Sequence, residues 1–196
     1  MNREEYLTKA SKLLNSQVFK QHGYEVPKDV KISCSWSPSG NAGQKSRTLG
    51  TCFPRALSKA GVNEINISPS LDDSIRVLDV LTHELIHAID DCKSGHKGLF
   101  RKIALDVGLT GKMTATVAGE ELTEQLEAIS KKLGKYPHAQ VDLSTRKKQT
   151  VRNIKVSCNS CEFSFRTSRA NIERINNWDC PSCYEGDLID QRLLEL

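Results

Sequence analysis

The chain has 196 residues and a mass of 21.9 kDa, 38% hydrophobic and 27% charged, the balance of a globular protein with a modest core. No apolar run approaches the roughly 20 residues of a membrane span. The opening MNREEYLTKASKLL is acidic from the start and lacks an apolar leader core, so a cytoplasmic protein outside the membrane is expected. Seven cysteines in a reducing compartment then read as metal ligands or free thiols rather than a disulfide framework. The net charge of +4 excludes little, but it is unevenly spread: residues 71–95 hold six acids against two bases, and residues 146–174 hold eight bases against two acids.

Residues 2–20 predict an amphipathic helix, with Asn2 and Glu5 at capping-box spacing and Leu7, Ala10, Leu13, Leu14 and Val18 at helical intervals. Three strand-like runs follow, Val30–Trp36, Leu49–Phe53 and Glu64–Ser68, alternating as in an antiparallel sheet with one buried face. The Ser- and Gly-rich segment between the first two reads as a long hairpin loop. The longest helix is expected from Leu71 to about Asp91, capped by Ser70 with Asp73, followed by helices over 96–106 and 119–133. This is an α+β pattern: a metal-binding domain over 1–134, a linker over 135–150 and a small C-terminal module over 151–196.

The long helix contains His83-Glu84-Leu85-Ile86-His87. Two histidines four apart sit one turn above each other, so both imidazoles can reach one zinc ion. The same helical phase brings Arg76 to the histidine face and turns Leu78, Leu81, Leu85 and Ile89 inward. Glu84 stands beside the histidines, placed to take a proton from water bound to the metal. A chance pair of core histidines would leave Glu84 as a buried carboxylate among apolar neighbours, a costly arrangement. A catalytic zinc needs a third protein ligand, and His96, Asp106, Glu120 and Glu121 are the candidates downstream. His96 follows a Gly95 turn from which a short loop can fold it back over the pair; His22 and His138 lie in other loops and read as surface residues.

The run His83-Glu84-Leu85-Ile86-His87-Ala88, followed by Gly95-His96 and Phe100, resembles the SprT-like zinc metallopeptidases, the Spartan-type family. Leu49-Gly50 and Ile65-Asn66-Ile67-Ser68-Pro69 resemble the sheet that precedes that family's catalytic helix. The resemblance implies a minimal zincin-type fold of N-terminal helix, small sheet and HExxH helix. It also implies His83, His87 and His96 as ligands of a catalytic zinc, with Glu84 as the base. The chain departs from the pattern at Lys97, where the family commonly has glycine, with Gly98 one position later.

Cys158-x2-Cys161 and Cys180-x2-Cys183, 18 residues apart, have the spacing of a zinc ribbon, so a second, structural zinc is expected there. A 46-residue tail is too short for a robust core without such a staple. Cys34 and Cys52 fall on strands as small core residues, and Cys92 ends the metal-binding helix without an evident partner. Arg146, Lys147, Lys148, Arg152, Lys155, Arg166 and Arg169 form a basic stretch suited to phosphates. Phe163 and Phe165 could stack on bases or, with Trp178, form the module's core; Trp36 and the Lys45/Arg47 loop could add a second contact. The resemblance implies an endopeptidase with DNA and DNA-bound proteins as partners; a monomer is expected. The alternatives are a zinc-stabilised DNA- or partner-binding adaptor with a vestigial HExxH site, and a zinc hydrolase of another amide.

Overall fold

Asn2 starts the first helix: its side chain accepts from the Glu5 N–H at 2.8 Å, and the Glu5 carboxylate accepts from the Asn2 N–H at 3.0 Å. Helix α1 runs Arg3–Leu14, widens into a π-turn over Asn15–Phe19, tightens to a 3-10 turn over Lys20–His22, and ends at left-handed Gly23. The computed structural model describes residues 1–37, 48–142 and 153–190. The architecture is α+β and divides into two units, Met1–Thr145 and Arg146–Leu196.

The first unit holds a three-stranded sheet of β1 (Lys31–Cys34), β2 (Gly50–Phe53) and β3 (Glu64–Ile67), in the order β1-β3-β2. β3 is parallel to β1 and antiparallel to β2, so the sheet is mixed and the expected hairpin between the first two strands does not form. The physical reason is burial. Ile65 and Ile67 of β3 are 1% and 0% exposed and take the centre, while all four residues of β2 are half-buried at an edge. The Lys45/Arg47 contact lies outside the described residues, and Trp36 lies beyond the end of β1, partly exposed.

Helix α2 spans Ser74–Ile89 and packs against β2, β3 and α1. Its cap is Asp73, whose carboxylate accepts from the Arg76 N–H at 2.7 Å, whereas Ser70 bonds to Ser68 instead. The expected start at Leu71 is therefore three residues early, because the nearer carboxylate wins the first-turn N–H. Leu78, Leu81 and Leu85 are fully buried, as the helical phase requires. Helix α3 (Gly98–Asp106) is followed by a hairpin of β4 (Leu109–Lys112) and β5 (Ala115–Ala118), then by helix α4 (Glu120–Leu133). Leu122, Leu126 and Ile129 close the core. Tyr136, expected in the linker, is 1% exposed with its ring 5.1 Å from that of Tyr6, and its N–H donates to Ser74 Oγ. The chain after α4 is thus packed, because an aromatic side chain there has a core to enter.

The second unit is a three-stranded antiparallel sheet, β6 (Asn153–Cys158), β7 (Ser164–Ser168) and β8 (Leu188–Asp190), in the order β7-β6-β8, with one helical turn, α5 (Arg169–Ile172). Ile154, Val156 and Leu188 make its small core. Among the described residues no helix is long and apolar enough to cross a membrane.

Candidate metal centres

Helix α2 places His83 and His87 one turn apart, and the segment after it returns His96 to them. Asp90 secures that return by accepting from the Ser94 N–H and hydroxyl, and Gly95 turns the chain at φ +54°. His96 precedes α3 rather than opening it; Gly98, at φ +45°, starts that helix one residue after Lys97. The result is a cluster in which His96 Nε2 lies 3.3 Å from Nε2 of both His83 and His87. The edge of a tetrahedron with metal–nitrogen arms of about 2.05 Å is about 3.3 Å. Three imidazole nitrogens at that spacing can hold one metal ion.

Phe100 of α3 is buried beneath the cluster, its ring 4.3 Å from His87, 4.9 Å from His83 and 5.0 Å from His96. Burial is also the first cause that lowers the imidazole pKa values, to about 3 for His83 and about 4 for His87, and lowers His96 as well. The rings are therefore neutral, the form that ligates. Thr116 of β5, itself 6% exposed, puts its hydroxyl 2.8 Å from His83 Nδ1. That contact fixes the ring and leaves Nε2 for the metal.

Glu84 is 5% exposed, and burial raises its pKa to about 8, with the Cys92 thiol adding to the effect. Its carboxylate fits against β2 only because residue 50 is glycine: a Cβ there would stand 2.5 Å from Glu84 Oε1. The histidines, Glu84, Gly50 and Thr116 line one cavity of about 530 Å³, with the edge strand β2 on one side and the β4–β5 hairpin on the other. Arg76 reaches the same cavity, its guanidinium donating to the buried carboxylate of Asp79.

The other third-ligand candidates are elsewhere. Asp106 accepts from Tyr24 OH at 2.6 Å and pairs with Lys102 at 2.8 Å, while Glu120 and Glu121 are exposed in the first turn of α4. His22 is exposed, as expected, but His138 is half-buried, its ring bridging Pro69 O and Arg3. Cys34 is buried at the end of β1; Cys52 is half-buried, packed against the core and also lining the cavity.

In the second unit Cys158, Cys161, Cys180 and Cys183 converge, with Sγ–Sγ distances of 3.7 Å for Cys158–Cys183 and for Cys161–Cys180. A tetrahedron with metal–sulfur arms of about 2.3 Å has edges of about 3.8 Å. The Ser160 and Ser182 N–H groups donate to Cys158 and Cys180 Sγ, the tight turn each knuckle needs to bring its sulfurs together. Gly186 leaves room for the cluster, since a Cβ there would meet Cys158 Sγ at 2.6 Å. With four protein donors this group is closed, whereas the histidine group has three donors and a cavity.

The basic candidates divide. Arg146, Lys147, Lys148 and Arg152 lie outside the described residues. Lys155 and Arg166 are exposed and face each other directly across the β6–β7 ladder; Arg169 is paired with Glu173 at 3.2 Å. Phe163, Phe165 and Trp178 pack against the Ile154–Val156–Leu188 core. Phe165 stands opposite buried Val156, on the other face of the ladder from Lys155 and Arg166, so aromatics and bases do not share a face.

Thr116, Gly50 and Asp79 were not singled out from the sequence as parts of the site. The hairpin that delivers Thr116 had one signal, Gly108 and Gly119 bracketing a run with Thr110, Thr116 and Val117, but strands of four residues are too short for a period to show. In the comparisons the chain matches no protein-family model, no curated protein and no solved structure.

Proposed function

We propose that the chain is a zinc-dependent endopeptidase of SprT-like type that cuts proteins associated with DNA. The observation that carries the reading is the convergence of three neutral imidazoles on one point of an open cavity, with a buried carboxylate, Glu84, beside them. His83, His87 and His96 would hold the catalytic ion, and the four cysteines a structural one. Zinc in the first site supplies Lewis acidity and makes water nucleophilic at neutral pH.

The chain's own residues have distinct tasks. Glu84 accepts the proton of the attacking water and returns it to the departing amine. Gly50 keeps β2 close to that carboxylate. The outer edge of β2, open on the cavity side, hydrogen-bonds an extended peptide as an added strand, so backbone rather than side chains is read and cleavage preference is loose. Thr116 holds His83 in its ligating orientation.

Support for DNA comes from Lys155 and Arg166. Two like charges directly opposite on a ladder repel each other, a cost that a polyanion removes. The test is a protein covalently linked to DNA, incubated with zinc-loaded wild type and with Glu84→Gln. Wild type cleaves it; the variant retains zinc and DNA affinity and loses cleavage by more than about a hundredfold. Equal products from both proteins would leave the adaptor reading.

A further inference from the structure

Cys52 and Cys92 are the two cysteines outside the C-terminal knuckles that face the cavity. Cys52 is in β2, and Cys92 follows α2 in a turn whose residues Asp91 and Cys92 have φ of +50° and +58°. Two consecutive non-glycine residues in the left-handed region are costly and persist only when the surroundings hold them. Here the Asp91 carboxylate accepts from the Arg55 N–H at 2.9 Å and from Asn63 Nδ2 at 3.0 Å, while the Cys92 N–H donates to His87 O at 2.8 Å. The turn delivers Cys92 Sγ to 3.5 Å from the Cys52 carbonyl oxygen, and both residues line the same cavity. Both are half-buried on the wall of the open cavity, within reach of a small molecule entering it. Cys34 lies apart from them, buried at the end of β1.

We propose that Cys52 and Cys92 are a redox site, closed to a reversible disulfide by a hydroperoxide. One thiol sulfur attacks the peroxide oxygen; the O–O bond breaks, the thiol proton leaves with the departing oxygen as water, and a sulfenic acid remains. The second thiol sulfur displaces the hydroxyl of that sulfenic acid, its proton leaving with the hydroxyl as a second water. Two thiols and one hydrogen peroxide thus give one disulfide and two waters. The bond ties β2, two residues from Gly50, to the end of the helix that carries His83 and His87. It makes the wall of the cavity sensitive to peroxide, and it does so whether or not the cavity cleaves peptides.

The zinc-loaded full-length chain is treated with hydrogen peroxide, its free thiols are alkylated, and it is digested with trypsin without reduction. Residues 48–55 and 77–93 are tryptic peptides with one cysteine each. They are expected joined, lighter by two hydrogens than the sum of the free peptides, and separated again by dithiothreitol. Cys92→Ser should return the 48–55 peptide unlinked after the same treatment. Recovery of the two wild-type peptides alkylated, separately oxidised to sulfinic acids, or joined to other cysteines would overturn the proposal.

Discussion

A methyl group at residue 50 would stand 2.5 Å from Glu84 Oε1, closer than any real Cβ contact, and that carboxylate lines the same cavity as the histidines. On the proposed function, Gly50→Ala is therefore expected to lower kcat by about ten- to a hundredfold with zinc content unchanged, because Glu84 is displaced and the histidines are not. Steady-state kinetics beside elemental analysis checks this, and an unaltered kcat would show that Glu84 has other room. Thr116→Val keeps the shape and removes the oxygen 2.8 Å from His83 Nδ1. Zinc affinity at the histidine site should fall about 10- to 100-fold in chelator competition, with the cysteine site unaffected. Glu84 also sets a pH dependence in the metal-free protein. Its folded pKa of about 8 lies above the usual carboxylate value, so the fold keeps the proton that the unfolded chain loses from about pH 4.5 upward. The stability of wild type relative to Glu84→Gln should be highest below that point. It should fall between about pH 4.5 and 8, by about 1.4 kcal/mol per pH unit at most, as denaturant melts across the range can show.

At the scale of elements, local chemistry was legible and long-range pairing was not. The capping box at Asn2 and Glu5, the buried stripe Leu78–Leu81–Leu85 and the two cysteine knuckles are written in residues a few positions apart. The parallel pairing of β1 with β3 is not, since it depends on which strand buries most, a comparison across the whole unit. The same holds for Tyr136, whose polar surroundings in sequence resemble a linker while its ring meets Tyr6 at the other end of the unit. The α2 cap is an intermediate case: two capping residues, Ser70 and Asp73, compete, and only geometry shows that Asp73 takes the Arg76 N–H. Asp73→Ala should accordingly cost about 1 kcal/mol in chemical denaturation and Ser70→Ala clearly less; the reverse order would move the helix start back to Leu71.

For the whole molecule, the two units use metal donors in opposite ways. The second has four sulfurs, a closed set and a small core, so an ion bound there would supply much of its folding energy. The first has a larger apolar core that leaves its histidine cluster open to a cavity. If the basic module tethers the enzyme to DNA, cleavage of a DNA-linked protein should drop by more than about tenfold between about 50 and 200 mM salt, while cleavage of the free protein changes little. A flat response would remove nucleic acid from the mechanism.

The most direct test is zinc content per chain, by elemental analysis, of wild type and His96→Ala. Two zinc ions are expected in wild type and about one in the variant, with the cysteine site retained. One zinc ion in wild type, unchanged by the substitution and not raised by added zinc, would contradict it.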